Sequence, residues 1–563
     1  MAPRYALVPD PHGPAGRLQP LAEDGTPLGA PVSVASLAEA VAQVEDAERP
    51  RWVWAAAESA YAPLLPLRLA RCHDLRLVEA LLLGQESRWG EPRSLGAAWA
   101  RLRGLPVPAD LPESPGTDEQ AGLFAPDRLQ LPPGTDPLEA VVAVHAGQQR
   151  RLAAIGDDRA RSRFRLLVAA ESAGALLAAE MAYDGLPWRA DLHDARLTEL
   201  LGPRPHVAGT QPKRLAELAV ELQQALGARP FNPDSHGQVL RAFAERGIQL
   251  GSTRTWELRG VDHPAAALMI RYKELSRIHV AHGWAWQDAW ARGGRFRPEY
   301  VVGGVVSGRW ASRGGGALQI PRSLRGAVVA DPGWTLVVAD AAQLEPRVLA
   351  ALSQDAGLAR TAAAGDLYGA LAATAFHGDR EKAKLGLLGA MYGQTRGGIG
   401  PLLATLRHRY PAAMGYVEAA ARTGEDGGIV RSQLGRSCPP PSADWLDLTE
   451  APETAGDAGG RSARARGRFT RNFVIQASGA DWALALLAAL RRRLAVMASG
   501  TDRPHLVFFQ HDEVVVHTPI DLADAVVAAI AESGEEARML VFGDTPVRFP
   551  LTTAVVECYA DAK

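Results

Sequence analysis

Cysteine is scarce. Cys72, Cys438 and Cys558 lie far apart in 563 positions and form no metal-ligand spacing. Their rarity excludes a disulfide framework and points to a reducing compartment. An excess of charge of one sign is also lacking: 61 Lys and Arg face 63 Asp and Glu, for a formal net charge of −2. The sum therefore announces no nucleic-acid binder, although a local basic groove remains compatible with it. The N-terminus lacks an apolar signal core, and no apolar run reads as long enough to span a bilayer. The expectation is a cytoplasmic chain with no membrane partner. No solenoid-type repeat is visible. What is present is ordinary for a soluble globular protein, 47% hydrophobic and 22% charged residues. The length calls for about two to four domains.

The most informative stretch is Thr335-Leu336-Val337-Val338-Ala339-Asp340, followed by Ala341-Ala342-Gln343-Leu344-Glu345-Pro346-Arg347. The first half predicts a buried strand ending on a carboxylate, and the second opens a helix that runs to Ser353. An Asp at a strand-to-helix turn sits where α/β folds place ligands. It also suits a helix N-cap, which for Asp340 alone is the simpler reading. A second carboxylate site follows at residues 505–517, where two β-rich runs flank Gln510-His511-Asp512-Glu513. This predicts a hairpin with Asp512 and Glu513 at its tip. A hard dication held by Asp340 and Asp512 would offset their repulsion and suit phosphoryl transfer. A solvated turn accounts for the second segment equally well.

Along the chain, residues 1–155 form a first unit, with strands at 5–8 and 51–55, helices at 36–44 and 73–83, and a Pro-rich connector at 106–137. Residues 160–295 read as mostly helical, with helices at 165–181, 191–201, 212–226, 235–246 and 263–286. Arg271, Lys273 and Arg277 in the last of these are candidates for a phosphate backbone, or simply a solvated face. Ser307-Gly308-Arg309 and Gly314-Gly315-Gly316 with Gln319 follow in a mixed segment. A helix over 379–393 aligns Arg380, Lys384, Leu388 and Tyr392 at spacings of four, a face fit for a triphosphate at one end and a base at the other, or a plain surface stripe. Residues 441–460 read as an exposed, disordered insertion. Five arginines between Arg461 and Arg471 then make the densest positive charge in the chain, and Arg468, Asn472 and Gln476 share one helix face.

Taken in order over residues 165–563, these pieces resemble family A DNA polymerases, the DNA polymerase I class, in an actinobacterial-like form. Val338 through Arg347 is similar to motif A. Arg380, Lys384, Gly389, Tyr392 and Gly393 are similar to motif B. Gln510-His511-Asp512-Glu513 is similar to motif C. Ser307-Gly308-Arg309 with Leu318-Gln319-Ile320-Pro321 resembles the Thr-Gly-Arg and template-contact segment. The resemblance implies an α+β multidomain right hand: a thumb at 160–295, a palm at 296–350 and 468–563, fingers at 351–467, and an N-terminal α/β exonuclease-like domain at 1–155.

The resemblance also implies roles. Asp340 and Asp512 would hold two Mg²⁺ ions, with Mn²⁺ as a substitute, and Glu513 would sit beside them. Lys384 would assist catalysis. Arg380, Lys384, Leu388, Tyr392, Glu345 and Gln343 would meet the nucleotide, with Glu345 and Tyr392 excluding ribonucleotides. Arg309, Gln319, Lys273, Arg277, Arg468, Asn472, Gln476 and His511 would meet primer-template DNA. The partners implied are primer-template and dNTPs, for a nucleoid-associated monomer acting in repair or replication gap filling. A non-catalytic DNA-binding remnant is the alternative. Two departures stand out. Leu388 replaces the usual aromatic of motif B. In the N-terminal unit the Asp-x-Glu pair of a proofreading exonuclease has only Asp46-Ala47-Glu48 as a match, in a charged run at a helix end. The exonuclease-like domain is therefore expected to be degenerate and inactive, and a 5′ nuclease domain to be lacking.

Overall fold

The computed structural model describes residues 3–111, 129–207, 209–313, 320–393, 399–450, 458–498, 502–510 and 512–562. It divides into two units. The first joins Met1–Tyr183, Tyr300–Ala311 and Val337–Ala554, and the second joins Asp184–Glu299, Ser312–Leu336 and Val555–Lys563. The architecture mixes helices and sheets, as the α+β expectation requires.

The first unit opens with a five-stranded sheet in the order Val32–Val34, Gly16–Leu21, Arg4–Pro9, Arg51–Trp54, Arg71–Asp74. The first three strands are antiparallel, and the last two run parallel to Arg4–Pro9. Strand periodicity sends alternate side chains to opposite faces. Leu7, Trp52, Trp54 and Cys72 enter one apolar cluster, and Ala6 and Val53 enter the other with Trp99, Leu138 and Val144. The helix Asp158–Asp184 covers the first of these faces through Ala175 and Leu176. Its Glu180, buried, accepts from Tyr61 Oη at 2.6 Å and from Arg491 at 2.6 and 2.8 Å. It lies with the first unit, although the sequence places most of it in the thumb.

Two local expectations fail here. Residues 73–83 do not form one helix: His73 and Asp74 finish a strand, and the helix is Leu75–Gln85. Asp74 caps it, accepting from Leu77 N at 3.1 Å while also taking Ala57 N at 2.7 Å. The strand Gly16–Leu21 went unforeseen because Gly-Arg-Leu-Gln-Pro-Leu has little intrinsic β preference; pairing with Arg4–Pro9 imposes it.

A second sheet of four strands has the order His505–Gln510, Glu513–Pro519, Trp334–Ala341, Leu551–Val556. The long helix Ala458–Leu494 buries Phe473, Ile475, Trp482, Leu487 and Leu490 within the first unit. That helix and Asp158–Asp184 are long and apolar enough to cross a bilayer by length and composition, which corrects the expectation that no apolar run is long enough. Most of each apolar stretch is buried against protein, which gives it a core role. The region expected to be a disordered insertion contains a helix, Ala443–Glu450, tied down by Trp445 Nε1 donating to Ser462 O at 3.1 Å. Residues 451–457 lie outside the described residues.

The second unit is mainly helical: Ala190–Leu201, Lys213–Leu226, His236–Glu245, Pro264–His282 and Trp284–Trp290. The helix expected over 263–286 is interrupted at Gly283. A cluster of Trp188, Trp286, Phe296 and His193 rings forms one of its cores.

Candidate active site

Thr335 through Ala339 are buried, and their strand runs on through Asp340 to Ala341. The following helix is Leu344–Ser353, and its N-cap is Gln343 in a left-handed conformation, φ 57°. Asp340 therefore is no helix cap; it is a half-buried strand residue. In the hairpin, Gln510 pairs with Glu513, and Asp512 directly precedes the return strand. Asp512 stands at the tip, whereas Glu513 is the first residue of the return strand and is 4% exposed. This corrects the expectation that both acids share the tip. The return strand lies beside Trp334–Ala341 in the sheet, and Ala341 N–H donates to Asp512 O at 3.0 Å. Sheet pairing thus brings Asp340 and Asp512, distant in sequence, to adjoining ends of the two central strands. Behind the hairpin Tyr300 Oη both donates to Phe509 O and accepts from Phe509 N, each at 3.0 Å. His511 lies outside the described residues.

Glu345, in the first turn of its helix, gathers two groups. It accepts from Arg309 on one oxygen and from Tyr392 Oη on the other, the latter at 2.6 Å. Gln476 hydrogen-bonds the same tyrosine hydroxyl. Burial first, then the Glu345 carboxylate, push the Tyr392 hydroxyl up to about 12. Arg309 reaches this place from a tight turn at Gly308, φ 83°, where a Cβ would come within 2.2 Å of Arg436 Nε. Arg436 is itself fixed by Glu171 at 2.6 Å. Arg309, Glu345, Tyr392 and Gln476 therefore form one cluster, drawn from a turn and three helices.

The helix Arg380–Tyr392 starts at the N-cap Asp379 and ends on Gly393, φ 65°. Arg380 and Lys384 are exposed and Leu388 is half-buried. Among the described residues Lys384 makes no ion pair. Arg380, in contrast, is held by Asp366: Nε donates at 2.9 Å and a second guanidinium nitrogen at 3.3 Å. Gln343 Nε2 donates to the same carboxylate at 2.6 Å, and its Oε1 accepts from Leu367 N at 2.8 Å. The Arg380 contact, joined by Gln343, holds the Asp366 carboxyl down at about 2. The sequence reading missed Asp366, because an Asp before a helix is an ordinary cap. It also missed the support beneath it. Arg347 is fully buried and donates to the carbonyls of Ala342, Ala362, Ala364, Gly365 and Arg548.

Of the remaining candidates, Arg468, Asn472 and Gln476 do share a face of the long helix, and Arg468 lies against Gly393. Asn472 Oδ1 is buried with no hydrogen-bond partner among the described residues. The arginine run is only partly available to a phosphate. Arg466 donates to Gly428 O and Pro439 O, both at 3.1 Å, and Arg471 lies 4.0 Å from Glu418. Lys273 and Arg277 belong to the second unit, on Pro264–His282, where Lys273 donates to Thr253 O and Oγ1. Gln319 lies outside the described residues. Among the described residues no group of three or more His, Cys, Asp or Glu is placed to hold a metal. Two aspartates at adjoining strand ends, with hard oxygen donors, suit Mg²⁺ or Mn²⁺ in ligand chemistry.

With this geometry in place, comparison with known proteins is decisive for the family. The profile described as DNA polymerase family A matches residues 207–555, more than half of the chain. The chain belongs to DNA polymerase family A. It is similar to the thermostable DNA polymerase I of Thermus filiformis, 28% identical over 363 residues, covering 56% of this chain and 40% of that protein. It is likewise similar to DNA polymerase I of Chloroflexus aurantiacus, 27% identical over 352 residues, covering 55% and 36%. The family A chain thus spans about two fifths of the length of these relatives. In fold it resembles the polymerase domain of Pol1 from M. smegmatis, solved in complex with DNA primer-template and dNTP. The TM-score is 0.72 at 17% identity, covering 100% of this chain and 96% of that one.

Proposed function

We propose that the chain is a template-directed DNA polymerase that adds dNTPs to a primer 3′ end. The observation that carries this reading is the placing of Asp340 and Asp512 at adjoining ends of the two central strands, with Ala341 N–H bonded to Asp512 O. Two magnesium ions, with manganese as a substitute, would supply activation of the primer hydroxyl and neutralisation of the triphosphate there. Asp340 and Asp512 would hold them, with Glu513 buried at the start of the same return strand. Lys384, exposed and one turn from Arg380, offers a point charge to the phosphates as the leaving group develops. Arg380 adds a planar fork to the same phosphates. Glu345, held by Arg309 and Tyr392, fills the space a 2′-hydroxyl would need, and Gln343, the N-cap of its helix, bonds Asp366 and Leu367 N through its side chain. Leu388 offers the base an apolar rather than an aromatic face. Arg309, Arg468, Asn472 and Gln476 present long polar side chains to the primer-template duplex, and His511, Gln319, Lys273 and Arg277 are assigned to the same partner.

The N-terminal sheet is assigned no nuclease role. Asp46 and Glu48 lie on a helix rather than a strand, and Asp74 is committed to capping. A monomer that fills gaps in repair or replication, within the cytoplasm at the nucleoid, completes the proposal. The test is extension of a 5′-labelled primer-template with magnesium, comparing dNTPs, NTPs and no nucleotide, with Asp512→Ala alongside. Extension by dNTPs is expected, reduced at least about a thousandfold in the variant, a loss of roughly 4 kcal/mol in transition-state stabilisation. Primer shortening without nucleotide would overturn the nuclease assignment. A duplex bound in a gel shift but never extended would leave a DNA-binding remnant, with Leu388 as the first position to return to an aromatic.

A further inference from the structure

Arg380 is the first residue of its helix, where the helix dipole presents its positive end. A guanidinium there is unfavourable unless an anion faces it. Asp366 is the nearer such anion, at 2.9 Å against 3.9 Å for Glu381, and it is itself held in place. Gln343 donates to it at 2.6 Å, and Arg347 grips the carbonyls of Ala364 and Gly365, the two residues just before it. Tyr368, nearly buried, sets its ring 5.7 Å from the Arg380 guanidinium carbon. The carboxylate is therefore placed by the motif A segment and offered to the helix that carries the two phosphate-facing cations. Lys384, one turn on, makes no ion pair among the described residues.

We infer that Asp366 occupies Arg380 in the nucleotide-free protein as a stand-in for the incoming triphosphate, so that a nucleotide must displace it before Arg380 can bind phosphate. This rests on the polymerase reading above. The physical basis is competition. Both side chains of the pair are 48% exposed, so water screens it and it is readily exchanged. A triphosphate carries several negative charges against the single one of Asp366, and it also engages Lys384. Only the fraction of molecules with Arg380 released is competent, and apparent nucleotide affinity is reduced by that fraction. Asp366 acts through Arg380 and is a positioning residue. After exchange it keeps its bond to Gln343, so the motif A helix start need not move.

The test is Asp366→Asn, which keeps an acceptor for Gln343 and removes the charge. KM for dNTP is expected to fall about two- to fivefold, the worth of an exposed ion pair, with kcat within about twofold of the parent. Dissociation of dNTP from a complex with dideoxy-terminated primer-template should tighten by the same factor. Asp366→Glu should return both values toward the parent. In an Arg380→Ala background, Asp366→Asn should change neither. An unchanged or raised KM, or an effect that persists without Arg380, overturns the inference while leaving the polymerase reading intact. If the parent protein neither extends a primer nor binds dNTP, the polymerase reading fails and this inference falls with it.

Discussion

Glu345 shows how much can turn on one side chain. Its two oxygens are shared between a cation, Arg309, and a neutral donor, Tyr392, and its side chain is only 15% exposed. Truncation to Ala would leave Arg309 without its anion and Tyr392 without its acceptor, and would open space where the proposal places the sugar. We expect Glu345→Ala to raise use of NTPs relative to dNTPs by about 10- to 100-fold, the range a pocket contact of this size contributes. Single-turnover kcat/KM for a matched NTP and dNTP pair measures it; an unchanged ratio would remove Glu345 from sugar selection. At this scale the sequence was legible where motifs lie close together. Asp340, Asp512 and the Arg380 face could all be named. Asp366 and Arg347 could not. One looks like a cap, and the other binds five backbone carbonyls, which have no signature in sequence.

Among the elements, the helix Arg380–Tyr392 ends where two motifs touch. Gly393 has φ 65°, and a Cβ there would meet Arg468 Cγ at 2.8 Å. Glycine is therefore needed both for its conformation and for the approach of the long helix. Gly393→Ala should cost about 1–2 kcal/mol through the left-handed conformation alone, read as a lowered denaturation midpoint. Because Tyr392 is the neighbouring residue, primer extension should drop as well. Equal stability and activity in the variant would mean that Arg468 shifts freely. Elements with strong internal signals were readable: Lys213–Leu226 lies within one residue of the helix expected over 212–226. The last two residues of the strand Arg71–Asp74, His73 and Asp74, were read as helix because they run directly into Leu75–Gln85 with no turn signal between. Gly16–Leu21 depends on its neighbour for its form. The helix break at Gly283 follows an otherwise continuous apolar pattern.

For the whole molecule, the sequence disclosed the family and the order of motifs, but not the acids and bases that end up buried. His73 is buried beside Gln148 and, chiefly through burial, titrates near 3. Asp481 is fully buried on the long helix, accepts from Leu434 N at 2.9 Å, and is pushed up to about 6, mainly by burial. Their signs oppose. The unfolded histidine takes a proton near 6.5 that the fold refuses, so its contribution is complete above that pH and is lost as pH falls toward 3. The aspartate is neutral in the fold up to about 6 but ionises near 3.8 when unfolded. Its contribution is complete below 3.8 and is lost as pH rises through 6. Asp481→Asn, a neutral mimic of the protonated acid, removes that loss. The stability of the variant relative to the parent should therefore rise between pH 4 and 6.5, by on the order of 2–3 kcal/mol. His73→Gln should show its relative gain in the opposite direction, growing as pH falls below 6.5. Urea denaturation of the three proteins across this range decides the matter. Parallel profiles would mean that Asp481 stays ionised, its charge held by Arg436, and that the Glu171–Arg436 pair extends to a third member.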